Sequence, residues 1–438
     1  MGTSATTLLL AIIVSAPAQA SESSGAIKQE EIDYQNQNFQ QWWDTDLVWK
    51  FDELPTKGGV PKYRVPYSGY DYPDRGGGTL EVMRKYDLAF HNGADMAAAY
   101  EREDTGQRER MGLFGRRVYG RRRVGLLGAL FGGPSARVPS WYGHCNGRTA
   151  ASIRHAEPQK SVVRNGVVFT PADIKGLLAE IYMYNDTEFL GGIDYAVNPG
   201  TLHVILCNWI GRGSHPVGMD TTLGEVVFNY PIYAYATSSA KRPGNRVEVK
   251  MNIAYAKSSN GEYNRSPRIK GIMYFHYLLD LDDEGNIIGG RYYGDSAQVD
   301  MLWAPLKPVQ GGKKGNEKGN PYIDVKEVLA IWRESVPEEL RKKWYNIDPT
   351  DEDRIIEPEE EGEAEAADEA KDAKPDEAPG GQAAPKAGDM DGADGDAGAS
   401  DGEEATGAKA EGAENDRAPA ARSDQPADAS GSPTAGNE

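Results

Sequence analysis

The spacing of apolar positions changes character at about residue 200. Before it, residues 80–88 and 94–103 read as a helix pair broken at Asn92-Gly93. Residues 145–153 read as a further helix. Thr170 precedes Pro171, and Ile174, Leu177, Leu178 and Ile181 then recur at helical spacing, which predicts a helix capped by Thr170. From residue 201 onward the pattern is strand-like. Residues 202–209, 217–220, 225–228, 246–255, 270–279 and 286–293 are β-rich runs divided by Gly, Pro, Asn and Asp. Helices are expected over 325–334 and 337–344, while the aromatic-rich stretch 26–110 carries turn signals that suit short helices and loops. A helix-bearing first half and a consecutive antiparallel second half predict an α+β fold.

Charge divides the chain again at about residue 350. The last 88 residues hold 27 Asp and Glu against 7 Lys and Arg, a balance of −20, whereas the whole chain carries −19. The first 350 residues are therefore almost neutral. With no Phe, Trp or Tyr, the tail cannot bury enough apolar surface to offset its chain entropy, so residues 350–438 are expected to be a disordered acidic tail. Near the start, a short apolar run ends in Ala18-Gln19-Ala20, the small-x-small pattern of a secretory signal covering residues 1–20. No segment reaches the ~20 apolar residues of a membrane span. Residues 21–139 then form an aromatic-rich region with a basic loop, Arg116–Arg123, and residues 140–349 the expected catalytic domain. A near-neutral secreted body lacks the broad basic footprint of a nucleic-acid binder.

Two cysteines are too few for a disulfide framework and suggest one reactive thiol, Cys145, and one buried bystander, Cys207. Cys145 stands in Trp141-Tyr142-Gly143-His144-Cys145-Asn146-Gly147, at the start of a predicted helix, where unpaired N–H groups and the helix dipole favour a thiolate. Gly143 and Gly147 are expected to leave room for a substrate backbone. If Gly211-Arg212-Gly213-Ser214 is a hairpin turn, His203 and Asp220 face each other across two strands, with Cβ atoms about 4.5–5.5 Å apart, close enough for a carboxylate to orient an imidazole. A bulge would shift that register. A helix-borne Cys followed by His and an acid on adjacent strands is the arrangement of papain-like cysteine enzymes. Asn229, before Tyr230-Pro231, is an alternative third member.

The Cys145 segment resembles the transglutaminase elicitor family, secreted proteins of oomycetes and bacteria. Asn165-Gly166-Val167-Val168-Phe169-Thr170, Asn198-Pro199-Gly200 with His203 and Asp220, and Gly289-Gly290-Arg291-Tyr292-Tyr293-Gly294-Asp295-Ser296 share in the likeness. The resemblance implies a transglutaminase-like core, a Cys145–His203–Asp220 triad, and calcium-stimulated transfer of a protein glutamine acyl group to lysine or another primary amine. Arg148 departs from the pattern, which has an aromatic residue there. Calcium rests on the likeness alone: the run from Asp280 to Asn286 is acidic, but position twelve is Arg291 where an EF-hand has Glu, and a hairpin turn explains it better. A cysteine peptidase or amidase with the same triad, and a non-catalytic cell-surface recognition protein, are the competing functions.

Overall fold

The computed structural model describes residues 25–106, 108–111, 117–120, 139, 141–192, 196–224 and 226–354. The signal segment, the acidic tail beyond residue 354 and half of the basic loop, residues 116 and 121–123, lie outside these residues.

The helices are α1 (Gln29–Trp43), α2 (Leu80–Phe90), α3 (Ala97–Asp104), α4 (Cys145–Arg154), α5 (Pro171–Tyr182), α6 (Pro199–Leu206), α7 (Val325–Ser335) and α8 (Glu338–Lys343). Nine strands form one sheet: β1 (Gly25–Ala26), β2 (Lys57–Gly59), β7 (Thr187–Gly192), β8 (Val217–Asp220), β9 (Asn229–Arg242), β10 (Arg246–Ala256), β11 (Lys270–Leu281), β12 (Ile287–Tyr292) and β13 (Met301–Pro305). Two hairpins stand apart, β3 (Arg108–Met111) with β4 (Arg117–Gly120), and β5 (Val162–Arg164) with β6 (Val167–Phe169). The sheet runs β1-β12-β11-β10-β9-β8-β13-β7, with β2 added beside β9, and every pairing is antiparallel. The architecture is thus mixed helix and antiparallel sheet, as the change of period implies.

Helices cover both faces of the sheet. Successive residues of a strand point to opposite sides, and β13 shows the division: Leu302 and Ala304 join a core with Trp42, Leu202 and Met251, while Trp303 joins a core with Ala151 and Leu178. The first core holds α1 and α6; the second holds α2, α4, α5 and α7. Residues before 140 contribute to both cores through Phe39, Trp42, Met83 and Tyr86. The α5 start is the one expected from Thr170: its hydroxyl accepts from the Asp173 N–H while Asp173 reaches back to the Thr170 N–H, a capping box. Among the described residues, no helix is long and apolar enough to cross a membrane.

One expectation bearing on the site is overturned. Residues 202–209 form no strand; α6 covers Pro199–Leu206, and the chain continues through a π-type turn over Cys207–Arg212. Asn198 caps the helix through the Gly200 N–H and Pro199 occupies its first turn, a start signal placed just ahead of a run that is apolar apart from Thr201 and His203. That run is buried on every side, so its composition carries no period by which to distinguish helix from strand.

Candidate active site

Cys145 is the first residue of α4, and His144 before it has the non-helical backbone of a cap position. The helix packs against α5 and the ends of β8 and β9. This approach explains Gly147: a Cβ there would lie 2.1 Å from the Ala179 carbonyl oxygen on α5. A Cβ at Gly143 would meet the Asp71 carbonyl oxygen at 2.8 Å. These glycines admit the neighbouring backbone, not a substrate.

The thiol donates to the Val227 carbonyl oxygen at 3.7 Å, and the Asn229 side-chain amide donates to Sγ at 3.7 Å. Asn229 is held from every side. Its Oδ1 accepts from Trp303 Nε1 at 2.8 Å, and its carbonyl oxygen accepts from Arg148 Nη2 at 2.8 Å and Thr149 Oγ1 at 3.0 Å. Arg148, which departs from the family pattern, is therefore a buried clasp: it also reaches Asp71 and Ser258 and lies over the Tyr230 ring. Burial pushes the Cys145 thiol above its ordinary pKa; the Asn229 backbone N–H opposes this, Asp71 adds to it, and Arg148 and the Asn229 amide oppose it.

Asp220 pairs with Asn229 across the β8–β9 ladder, so both side chains stand on the face that carries α4. Its Oδ1 accepts from the Thr222 and Phe228 N–H groups at 3.1 and 3.0 Å. Burial raises its pKa from 3.8 to about 6, and the two N–H donors offset only part of that rise. The carboxyl thus titrates close to neutrality.

His203 is elsewhere. It lies in α6 on the opposite face of the sheet, with Nδ1 2.7 Å from the Tyr277 hydroxyl and its ring stacked on Phe51 at 5.4 Å. Burial lowers its pKa to about 3, so the imidazole is neutral at working pH. The expected cross-strand pairing of His203 with Asp220 fails because only Asp220 is on a strand, and its ladder partners are Asn229 and Met301. The structure brings Cys145 and Asn229 into contact, sets Asp220 opposite Asn229 on the adjacent strand, and leaves His203 out. Asn229 was visible from the sequence only as an alternative; Arg148 stood out only as a departure from the family pattern, and Trp303, which fixes the Asn229 amide, had no local signal.

Cys207 is fully buried with a thiol pushed up to about 12 by burial, in keeping with a bystander. Both cysteines are free. The acidic loop after Asp280 does not fit calcium. Asp282 Oδ1 accepts from the Glu284 and Asn286 N–H groups and its Oδ2 from Asn286 Nδ2, so both oxygens serve the turn before β12.

Residues 134–193, the segment that carries Cys145, match the family model described as Transglutaminase elicitor. The resemblance drawn from the motifs is shown for that segment. Among solved structures the chain is similar to the GP42 transglutaminase from Phytophthora sojae, with 20% identity, a TM-score of 0.53, and coverage of 71% of this chain and 99% of that one. At that identity the likeness is one of fold. Comparison with curated proteins gives no match.

Proposed function

We propose, from a transglutaminase-like fold whose elicitor-type segment starts a helix on a thiol, that this protein is a secreted acyltransferase working through Cys145. Cys145 Sγ attacks the carboxamide carbon of a protein glutamine, ammonia departs, and a thioester forms. A lysine or other primary amine then displaces the thiol and leaves an isopeptide bond. The observation that carries the reading is the convergence on Sγ of the α4 N-terminus and the Asn229 amide, with Asp220 opposite Asn229 on the same face.

In this scheme Asn229 stabilises negative charge on sulfur. Asp220 takes the thiol proton and delivers it to the leaving ammonia, then accepts a proton from the incoming amine and returns it to the thiol. A carboxyl that titrates at about 6 is suited to both directions near neutral pH. His203 has no part in the transfer. If water replaces the amine, the same residues perform amidase chemistry.

A second reading is a recognition protein with an inert thiol. It is favoured by the burial of Cys145, whose pKa is raised rather than lowered. Incubation with a glutamine peptide and a labelled amine separates the three. Amine incorporation lost in Cys145→Ala supports transfer, deamidation without incorporation supports hydrolysis, and neither product supports recognition.

A further inference from the structure

Directly behind the nucleophile, three side chains from three helical neighbourhoods meet in the interior. Glu101 on α3 and Glu180 on α5 turn toward His144, the residue before Cys145; their exposures are 1%, 5% and 1%. His144 Nε2 lies 3.0 Å from Glu180 Oε2 and 3.6 Å from Glu101 Oε1, and one ligand atom from each of the three residues lies within 4.8 Å of the others. Thr79 fixes both carboxylates, its N–H donating to Glu101 Oε1 at 2.8 Å and its hydroxyl to Glu180 Oε2 at 2.6 Å. On the other side of the imidazole, Nδ1 is buried without a hydrogen bond and faces Asp74 Oδ1 at 3.9 Å.

Charge makes this arrangement costly as it stands. Two carboxylates and a single imidazole are buried together, and Asp74 and Asp104 act on the same group electrostatically. Buried charge of that kind is stable only when it is paired. The two charges of a divalent cation match two ionised carboxylates beside a neutral imidazole. Backbone space is matched to the carboxylates: Gly78 has φ +58, and a Cβ there would sit 2.0 Å from Glu101 Oε1. The same stretch lines a surface pocket through Gly76, Gly77, Gly78 and Thr79, so the wall of the cluster is one residue layer from solvent.

We propose that Glu101, His144 and Glu180 form a binding site for a divalent transition-metal ion of the zinc or manganese class. One imidazole nitrogen with two carboxylate oxygens is a donor set for zinc, manganese or iron; calcium takes oxygen ligands. Asp74, beside Nδ1, stands where an outer carboxylate orients a metal-bound histidine. The ion would tie α3 and α5 to the cap of the nucleophile helix. This site does not depend on the acyl-transfer reading, since its occupancy is measured without substrate.

The test uses the full chain, stripped with a chelator and then titrated with Zn2+ and, separately, Co2+ and Ca2+. Wild type is expected to retain about one Zn2+ per chain after desalting, to show visible absorption bands with Co2+, and to melt at a higher temperature when loaded. Glu101→Gln, which keeps the size of the side chain and its acceptor for Thr79, is expected to bind Zn2+ at least tenfold more weakly. His144→Gln serves as the second variant, with circular dichroism to confirm folding. The proposal is overturned if stripped wild type takes up less than about a tenth of an equivalent, if folded Glu101→Gln binds as tightly as wild type, or if millimolar Ca2+ displaces Zn2+ from the site. In the first of these cases the cluster is a proton-balanced ion pair.

Discussion

Asn229 offers its side-chain amide to Cys145 Sγ at 3.7 Å while Trp303 holds the other end of the same amide at 2.8 Å. The amide can neither turn nor leave without stranding the indole N–H in the interior. Replacement by alanine removes a donor to sulfur and orphans Trp303 Nε1, which costs about 1–3 kcal/mol for an unsatisfied buried group. Asn229→Ala is expected to melt earlier and, where still folded, to react with iodoacetamide about tenfold more slowly at pH 7. An unchanged alkylation rate would show that the amide has no hold on the thiolate.

Asp220 joins stability to mechanism. Its folded-state pKa is raised from 3.8 to about 6, so its protonated form is favoured in the folded chain. That contribution is fully present below about pH 4 and is lost as pH rises through 6, amounting to roughly 3 kcal/mol by linkage. Asp220→Asn keeps an acceptor for Thr222 and Phe228 but cannot ionise. Its melting temperature is expected to gain on wild type between pH 4 and 7, while amine incorporation falls about a hundredfold or more. Wild-type rates should rise with pH through about 6. A variant with unchanged transfer would remove Asp220 from the proton path.

His203 gives the opposite pattern. It is buried and neutral, with its pKa lowered to about 3, so it contributes stability that is present above about 6.5 and drains away as pH falls toward 3. His203→Phe has no such loss, and its melting temperature relative to wild type is expected to improve steadily from pH 7 to pH 4. Amine incorporation should stay within about threefold of wild type, because the ring sits on the other face of the sheet. A loss of a hundredfold or more, the size expected for a general base, would restore His203 to the mechanism.

Gly147 tests the packing that positions the thiol. Alanine there would place its Cβ 2.1 Å from the Ala179 carbonyl oxygen, and backbone cannot yield as a flexible side chain does. Gly147→Ala is expected to destabilise by about 1–3 kcal/mol, or more if α4 must shift, read as a lower denaturant midpoint at unchanged slope. A neutral result would mean that α4 and α5 are less tightly apposed than described.

Much of this framework was legible in local patterns. Thr170-Pro171 marked a helix start with its cap, the Asn92-Gly93 break separated α2 from α3, and the runs that became β8, β10, β11 and β12 lay between turn residues. Cys145 at a helix N-terminus followed from the same kind of signal. His203 did not, because a run of Leu, Val and Ile buried on all sides looks alike in helix and strand, and an apparent turn at Gly211-Arg212 then supplied a false register. Asn229 and Trp303 are 74 residues apart and meet through the β8–β13 pairing, a relation between distant strands that no local spacing encodes. The long α1 was hidden for another reason: its polar residues outnumber the apolar ones, and its place is set by Phe39 and Trp42 packing into the first core.

The most direct measurement is intact-mass spectrometry of the full chain after mixing with a glutamine-containing peptide and quenching in acid before any amine is added. Wild type is expected to carry one adduct of the peptide mass less ammonia, removed by a primary amine with release of the amide-linked product, and Cys145→Ala to carry none. An amine-incorporating wild type whose Cys145→Ala variant works equally well, or a wild type that forms no adduct and no product, would contradict a thioester at Cys145.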